Sequence, residues 1–108
     1  MLQVSATDKI LFEIVERIRK FLDPERVILF GSRARGSAQP ESDFDLLVIK
    51  KSDQPRYKRS APLYTALADL PVEVEVMVYT PDEVREWSQV PQAFITTALR
   101  EGKVLYEK

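Results

Sequence analysis

The sequence predicts an α/β fold: one layer of mixed β-sheet with flanking helices. Three observations predict it. Apolar residues recur at helical spacing in the first segment, and two later stretches read as strands that begin acidic and turn apolar. Strand-like and helix-like stretches then alternate without internal repeats or low-complexity tracts. The 108 residues, 44% of them hydrophobic and 31% charged, suffice for one packed core, so one domain over 1–108 is expected.

Each element has its own signal. Ile10, Leu11, Ile14, Val15, Ile18, Phe21 and Leu22 fall at helical spacing behind Ser5 or Thr7 as cap, which predicts a helix over about 7–22. Phe12 falls off that stripe. Asp23-Pro24 stops the helix, and Val27-Ile-Leu-Phe30 is a short apolar run of the kind buried on both faces of a sheet. Residues 31–42 read as turn, with a helical turn as an alternative, and loop. From Asp43 to Ile49 a second strand puts Asp43, Asp45, Leu47 and Ile49 on one face and Phe44, Leu46 and Val48 on the other.

The segment 50–59 carries Lys50, Lys51, Arg56, Lys58 and Arg59 against Asp53 and reads as an exposed connection. A helix is expected over about 60–69. Beyond Pro71, Val72, Val74, Val76 and Val78 alternate with Glu73, Glu75, Met77 and Tyr79, a period-two strand. Thr80-Pro-Asp-Glu83 has the cap-then-proline signature of a helix start, Pro91 opens a further helix that stops at Gly102, and 103–106 makes an edge strand.

Composition limits the chemistry. There is no Cys and no His, which removes disulfides, thiolates, sulfur-ligated metals and the commonest general base. Carboxylates, hydroxyls, Lys, Arg and Tyr remain, a set that favours Mg²⁺-type ions if a metal is used. A net charge of −1 provides no global field for nucleic acid. The first residues lack the basic start and apolar centre of an export signal, and no apolar run is long enough for a spanning helix, so a cytoplasmic protein is expected.

The informative stretch runs from Gly31 to Asp45. Gly31-Ser32 after a buried strand permits close backbone approach and offers amides and a hydroxyl to phosphate oxygens. Asp43 and Asp45 lie two apart on a strand, on one face and roughly 6.6 Å apart at Cα. They are either acids facing water or carboxylates able to hold metals that clamp the oxygens of a phosphoryl displacement. Glu73 and Glu75 share one face of another strand. They either join the first pair or pair with cations of 50–59. Arg33 and Arg35 add positive charge for a triphosphate or pair with acids such as Glu41, and Ser42 caps the turn or touches phosphate.

Gly31-Ser32, ten residues, then Asp43-Phe44-Asp45 resembles the signature of the polymerase-β-type nucleotidyltransferase superfamily. Gly31-Ser-Arg-Ala-Arg-Gly36 with Ser42-Asp-Phe-Asp-Leu46 is similar to its minimal (MNT) branch, and the likeness continues to Val74-Glu75-Val76 and Arg100–Tyr106. The resemblance implies a palm-like nucleotidyltransferase fold, with Gly31 and Ser32 on nucleotide phosphate and Asp43 and Asp45 on two Mg²⁺ ions. The family's third carboxylate, usually Asp, falls on Glu75, with Glu73 as an alternative on the same face. It further implies AMP transfer from ATP, catalysed by Asp43, Asp45 and Glu75. The acceptor would be a tyrosine hydroxyl of a HEPN-domain ribonuclease that the protein restrains as an antitoxin. Phe12, the 50–59 connection and Trp87 are candidate contacts for that partner.

Two other classes remain open. A masking protein would neutralise its partner by covering it, and Glu75 in place of Asp is its support. A nucleic-acid-binding domain would rest on the cations of 50–59 around Tyr57, with an acidic pI near 5.5 against it. No Walker-type phosphate loop or dinucleotide fingerprint is present.

Overall fold

Ile14, Val15 and Ile18 recur at helical spacing and are buried on one side of α1 (Ala6–Leu22). In the computed structural model, which describes residues 6–36 and 43–108, that side packs on a four-stranded sheet. The strands are β1 (Arg26–Phe30), β2 (Phe44–Ile49), β3 (Val74–Tyr79) and β4 (Lys103–Glu107), in the order β3-β2-β1-β4. β1 runs antiparallel to both β2 and β4, whereas β2 and β3 are parallel. The mixed sheet with flanking helices is the architecture expected from the sequence.

The period-two alternation divides the core in two. Val27, Leu29, Phe44, Leu46, Val48, Val76 and Val78 face α1 and α4 (Ala61–Leu67), whose Leu63 and Leu67 are buried with them. Arg17 donates to Asp69, Glu13 and the Ala66 carbonyl, joining α1 to the end of α4. On the other face Ile28, Leu47, Ile49 and Tyr79 are buried under Ile95 and Ala98 of α6 (Phe94–Glu101), with Phe30, Met77 and Leu99 at the margin. Among the described residues no helix is long and apolar enough to cross a membrane.

The structure departs from the sequence expectations in four places. The helix expected over 60–69 is the shorter α4, and a separate turn of helix, α3 (Arg56–Arg59), precedes it in the connection. Pro62 lies in the first turn of α4 and has no N–H to bond the carbonyl of residue 58, so α3 does not continue into α4. β3 begins at Val74 rather than Val72 because its partner strand begins at Phe44. The last helix begins at Phe94 rather than Pro91. Two turns precede it, and the Thr96 hydroxyl meets the carbonyls of Val90 and Trp87, at 2.7 and 3.2 Å. Finally, the 50–59 connection is not wholly exposed, because Arg59 keeps only 9% of its surface.

Arg59 is buried because every part of its guanidinium is engaged. Nε donates to the Gln54 carbonyl at 2.8 Å, Nη1 to the Val78 carbonyl at 3.2 Å, and Nη1 and Nη2 grip Glu83 at 2.6 and 3.2 Å. Glu83 also completes a capping box with Thr80 at the start of α5 (Pro81–Trp87), so one cation ties the connection, β3 and α5 together.

Candidate active site

The end of β1 and the starts of β2 and β3 meet in one row. Phe30 is the antiparallel partner of Asp45, and Asp45 is the parallel partner of Glu75. Partners in register on neighbouring strands point to the same face, so Phe30, Asp45 and Glu75 stand side by side, with strands about 4.8 Å apart. Asp43 and Glu73 each precede their strand by one residue, and the Phe44 amide donates to the Glu73 carbonyl at 2.9 Å. Asp43, Glu73 and Glu75 are exposed, while Asp45 is half-buried. Among the described residues neither Glu73 nor Glu75 pairs with a cation of the 50–59 segment.

Gly31 is fitted to Asp45. Its φ of 75° lies in the left-handed region, and a Cβ placed there would collide with Asp45 Oδ2, with Asp45 Cγ 3.3 Å away. The Gly31 carbonyl accepts from Ala34 and Arg35 at 3.1 and 3.2 Å, which starts α2 (Ser32–Arg35). Gly36, also at positive φ, closes that turn. Ser32 thus heads a helical turn beside the carboxylate. Ser42 and Glu41 lie outside the described residues.

The two arginines diverge. Arg33 stands over the Phe44 ring, 4.0 Å from its centroid, and Phe44 belongs to the face opposite Asp45. Arg35 lies 3.9 Å from Glu101 at the end of α6 and acts on Asp45 from nearby. Partial burial, then the charges of Glu75 and Asp43, push the Asp45 carboxyl up, and Arg35 opposes them.

The donors available to a metal are all carboxylate oxygens, as Mg²⁺ prefers, and a divalent cation would offset the repulsion that raises Asp45. The residues therefore fit such an ion in kind. Among the described residues no three acidic side chains are close enough to hold one ion as they stand. The register supplies the common row in which Asp45 and Glu75 stand.

Sequence reasoning left out Phe30 as the third member of the row, although it alternates with Ile28 and directly precedes Gly31. It also left out Glu101 beside Arg35, for which no local signal exists.

A family profile described as "Polymerase beta, Nucleotidyltransferase" matches residues 13–108. No curated protein sequence matches the chain. Among solved structures, a candidate nucleotidyltransferase from Sulfolobus solfataricus aligns with a TM-score of 0.66 at 22% identity, over 93% of this chain and 79% of that one. A toxin–antitoxin crystallised with AMP-PNP aligns at 0.60 and 22% identity, over 90% and 73%. A mutant of the MntA-HpeT toxin–antitoxin aligns at 0.58 and 19%, over 90% and 72%. At these identities the structural likeness speaks for the fold.

Proposed function

Because the chain belongs to the polymerase-β nucleotidyltransferase family, matched over residues 13–108, we propose that it transfers AMP from ATP to a hydroxyl of a partner toxin, acting as an antitoxin. The observation that carries this reading is the row in which Asp45, packed against Gly31, faces Glu75. The two toxin–antitoxin structures that share the fold, one of them crystallised with AMP-PNP, support the partner class and the nucleotide. The resemblance to the MNT branch points to a HEPN-type protein as acceptor.

In this reading Gly31 and Ser32 receive the nucleotide phosphates, since a glycine without Cβ and the leading amides of a helical turn admit phosphate oxygens closely. Arg35 adds positive charge from the α6 side, whereas Arg33, over the Phe44 ring, stands on the other side of the sheet from Asp45 and is not assigned a phosphate contact. Asp43, Asp45 and Glu75 would hold two Mg²⁺ ions. When bound, such ions neutralise the phosphates and lower the pKa of the attacking hydroxyl. The acceptor oxygen bonds to the α-phosphorus, the bond from that phosphorus to the β-phosphate oxygen breaks, and pyrophosphate leaves. With no His in the chain, the hydroxyl proton passes to a carboxylate, for which Glu75 is placed.

The test incubates the chain with radiolabelled ATP, Mg²⁺ and a HEPN-type toxin offered as acceptor, and follows the acceptor's intact mass. Addition of AMP, lost when Asp43→Asn and Asp45→Asn are combined, is the expected result. Labelling that survives the double substitution refutes the assignment. The longer Glu75 favours a second reading, in which the protein masks its partner. Masking would inhibit the toxin without ATP and after both substitutions.

A further inference from the structure

The row that holds Asp45 and Glu75 begins with an aromatic ring. Phe30 is Asp45's partner across the antiparallel pair and the residue immediately before Gly31. Phe94, at the start of α6, meets it edge to face, with centroids 5.0 Å apart and planes at 76°, and lies 6.4 Å from Tyr79. The aliphatic neighbours on this face, Ile28 and Leu47, are shut in under Ile95 and Ala98 of α6. Phe94 instead keeps 38% of its surface exposed, and Phe30 is only half-buried. An open aromatic ledge therefore adjoins the carboxylates.

Building on the nucleotidyl-transfer reading above, we propose that Phe30 and Phe94 form the platform on which the nucleobase stacks, with Phe94 as the residue that makes the site favour a nucleotide over bare phosphate. The phosphate-receiving Gly31 and the Phe30 ring are consecutive in the chain, so base and phosphates of one nucleotide can lie on both at once. Every base has a π face, and ring stacking on an aromatic side chain selects for it without reading its hydrogen-bonding edge. The side chains of Phe30 and Phe94 offer no hydrogen-bonding groups, and that of the neighbouring Met77 only a weakly accepting sulfur. The ledge therefore favours large planar rings, purines above pyrimidines, and does not itself separate adenine from guanine.

Isothermal titration of the full chain with ATP, UTP and inorganic tripolyphosphate, each with Mg²⁺, tests this. Phe94→Ala is expected to weaken ATP binding about tenfold, to weaken UTP less, and to leave tripolyphosphate unchanged, while Phe94→Trp retains ATP. Phe94→Leu keeps apolar packing without the ring and carries the same expectation as alanine, which covers a folding defect in the alanine variant. Equal loss for ATP and tripolyphosphate, or unchanged ATP binding in both ring-less variants, overturns the platform while leaving the phosphate site standing. Failure of the unaltered chain to bind either ATP or tripolyphosphate removes the nucleotide site itself, and the platform with it.

Discussion

Gly31 has no room for a side chain on the side where Asp45 lies, and its positive φ compounds the restriction. Gly31→Ala is therefore expected to lower stability by about 1–3 kcal/mol and to displace the Asp45 carboxylate, read by chemical denaturation together with transfer activity. Asp45 presents the opposite case. Burial and the like charges of Glu75 and Asp43 raise its pKa, so the folded state is penalised by the ionised form that prevails at neutral pH. Asp45→Asn should raise the denaturation midpoint in chelator at neutral pH and, assayed separately with Mg²⁺, abolish transfer; a lowered midpoint would show that the carboxylate is not under that strain. Gly31, Ser32, Asp43 and Asp45 could be named as candidates from the sequence because they lie in one short segment, and the structure packs Gly31 against Asp45. Phe30 was concealed by its apolar run, and Arg59 by the surrounding cations, since burial depends on partners as distant as Glu83.

Helix α5 illustrates how local signals and distant contacts share one side chain. The Thr80 cap was readable, and Thr80→Ala should cost about 0.5–2 kcal/mol. What the local pattern could not show is that Glu83 turns its carboxylate to Arg59, which with the Thr80 amide holds its pKa below the usual range despite partial desolvation. A depressed carboxylate contributes stability above its unfolded pKa and loses it as pH falls through the folded value. The wild type should therefore lose stability on acidification relative to Glu83→Gln, in denaturation series spanning neutral to acidic pH, and parallel pH profiles would contradict this. Arg59→Ala removes the guanidinium donors from the Val78 carbonyl and from Glu83, which keeps only the Thr80 amide, and should cost about 3–5 kcal/mol. β3 lies at a sheet edge, yet the Val76 amide donates to the Tyr64 hydroxyl at 2.9 Å, blocking part of that edge to strand addition. Tyr64 had no signal in the sequence, because the contact depends on how α4 docks.

The strand order explains why acids from separate segments meet. β2 occupies an interior position, antiparallel to β1 and parallel to β3, so the end of β1 and the starts of the other two strands coincide. The alternation of Asp45 with Phe44, and of Glu75 with Val74, assigned the faces from sequence. The adjacency of β2 and β3 did not follow from it, because pairing depends on how the crossover packs over the sheet. Helix α6 covers only the deeper part of the shared face, which leaves the carboxylate row open at its rim. The most direct measurement is an anomalous diffraction map from crystals grown with Mn²⁺ and a non-hydrolysable ATP analogue. The expected result is manganese peaks within coordinating distance of Asp43, Asp45 and Glu75, with the analogue's phosphates against Gly31. Manganese or nucleotide bound elsewhere, with Asp45 and Glu75 unligated, would contradict the proposed chemistry.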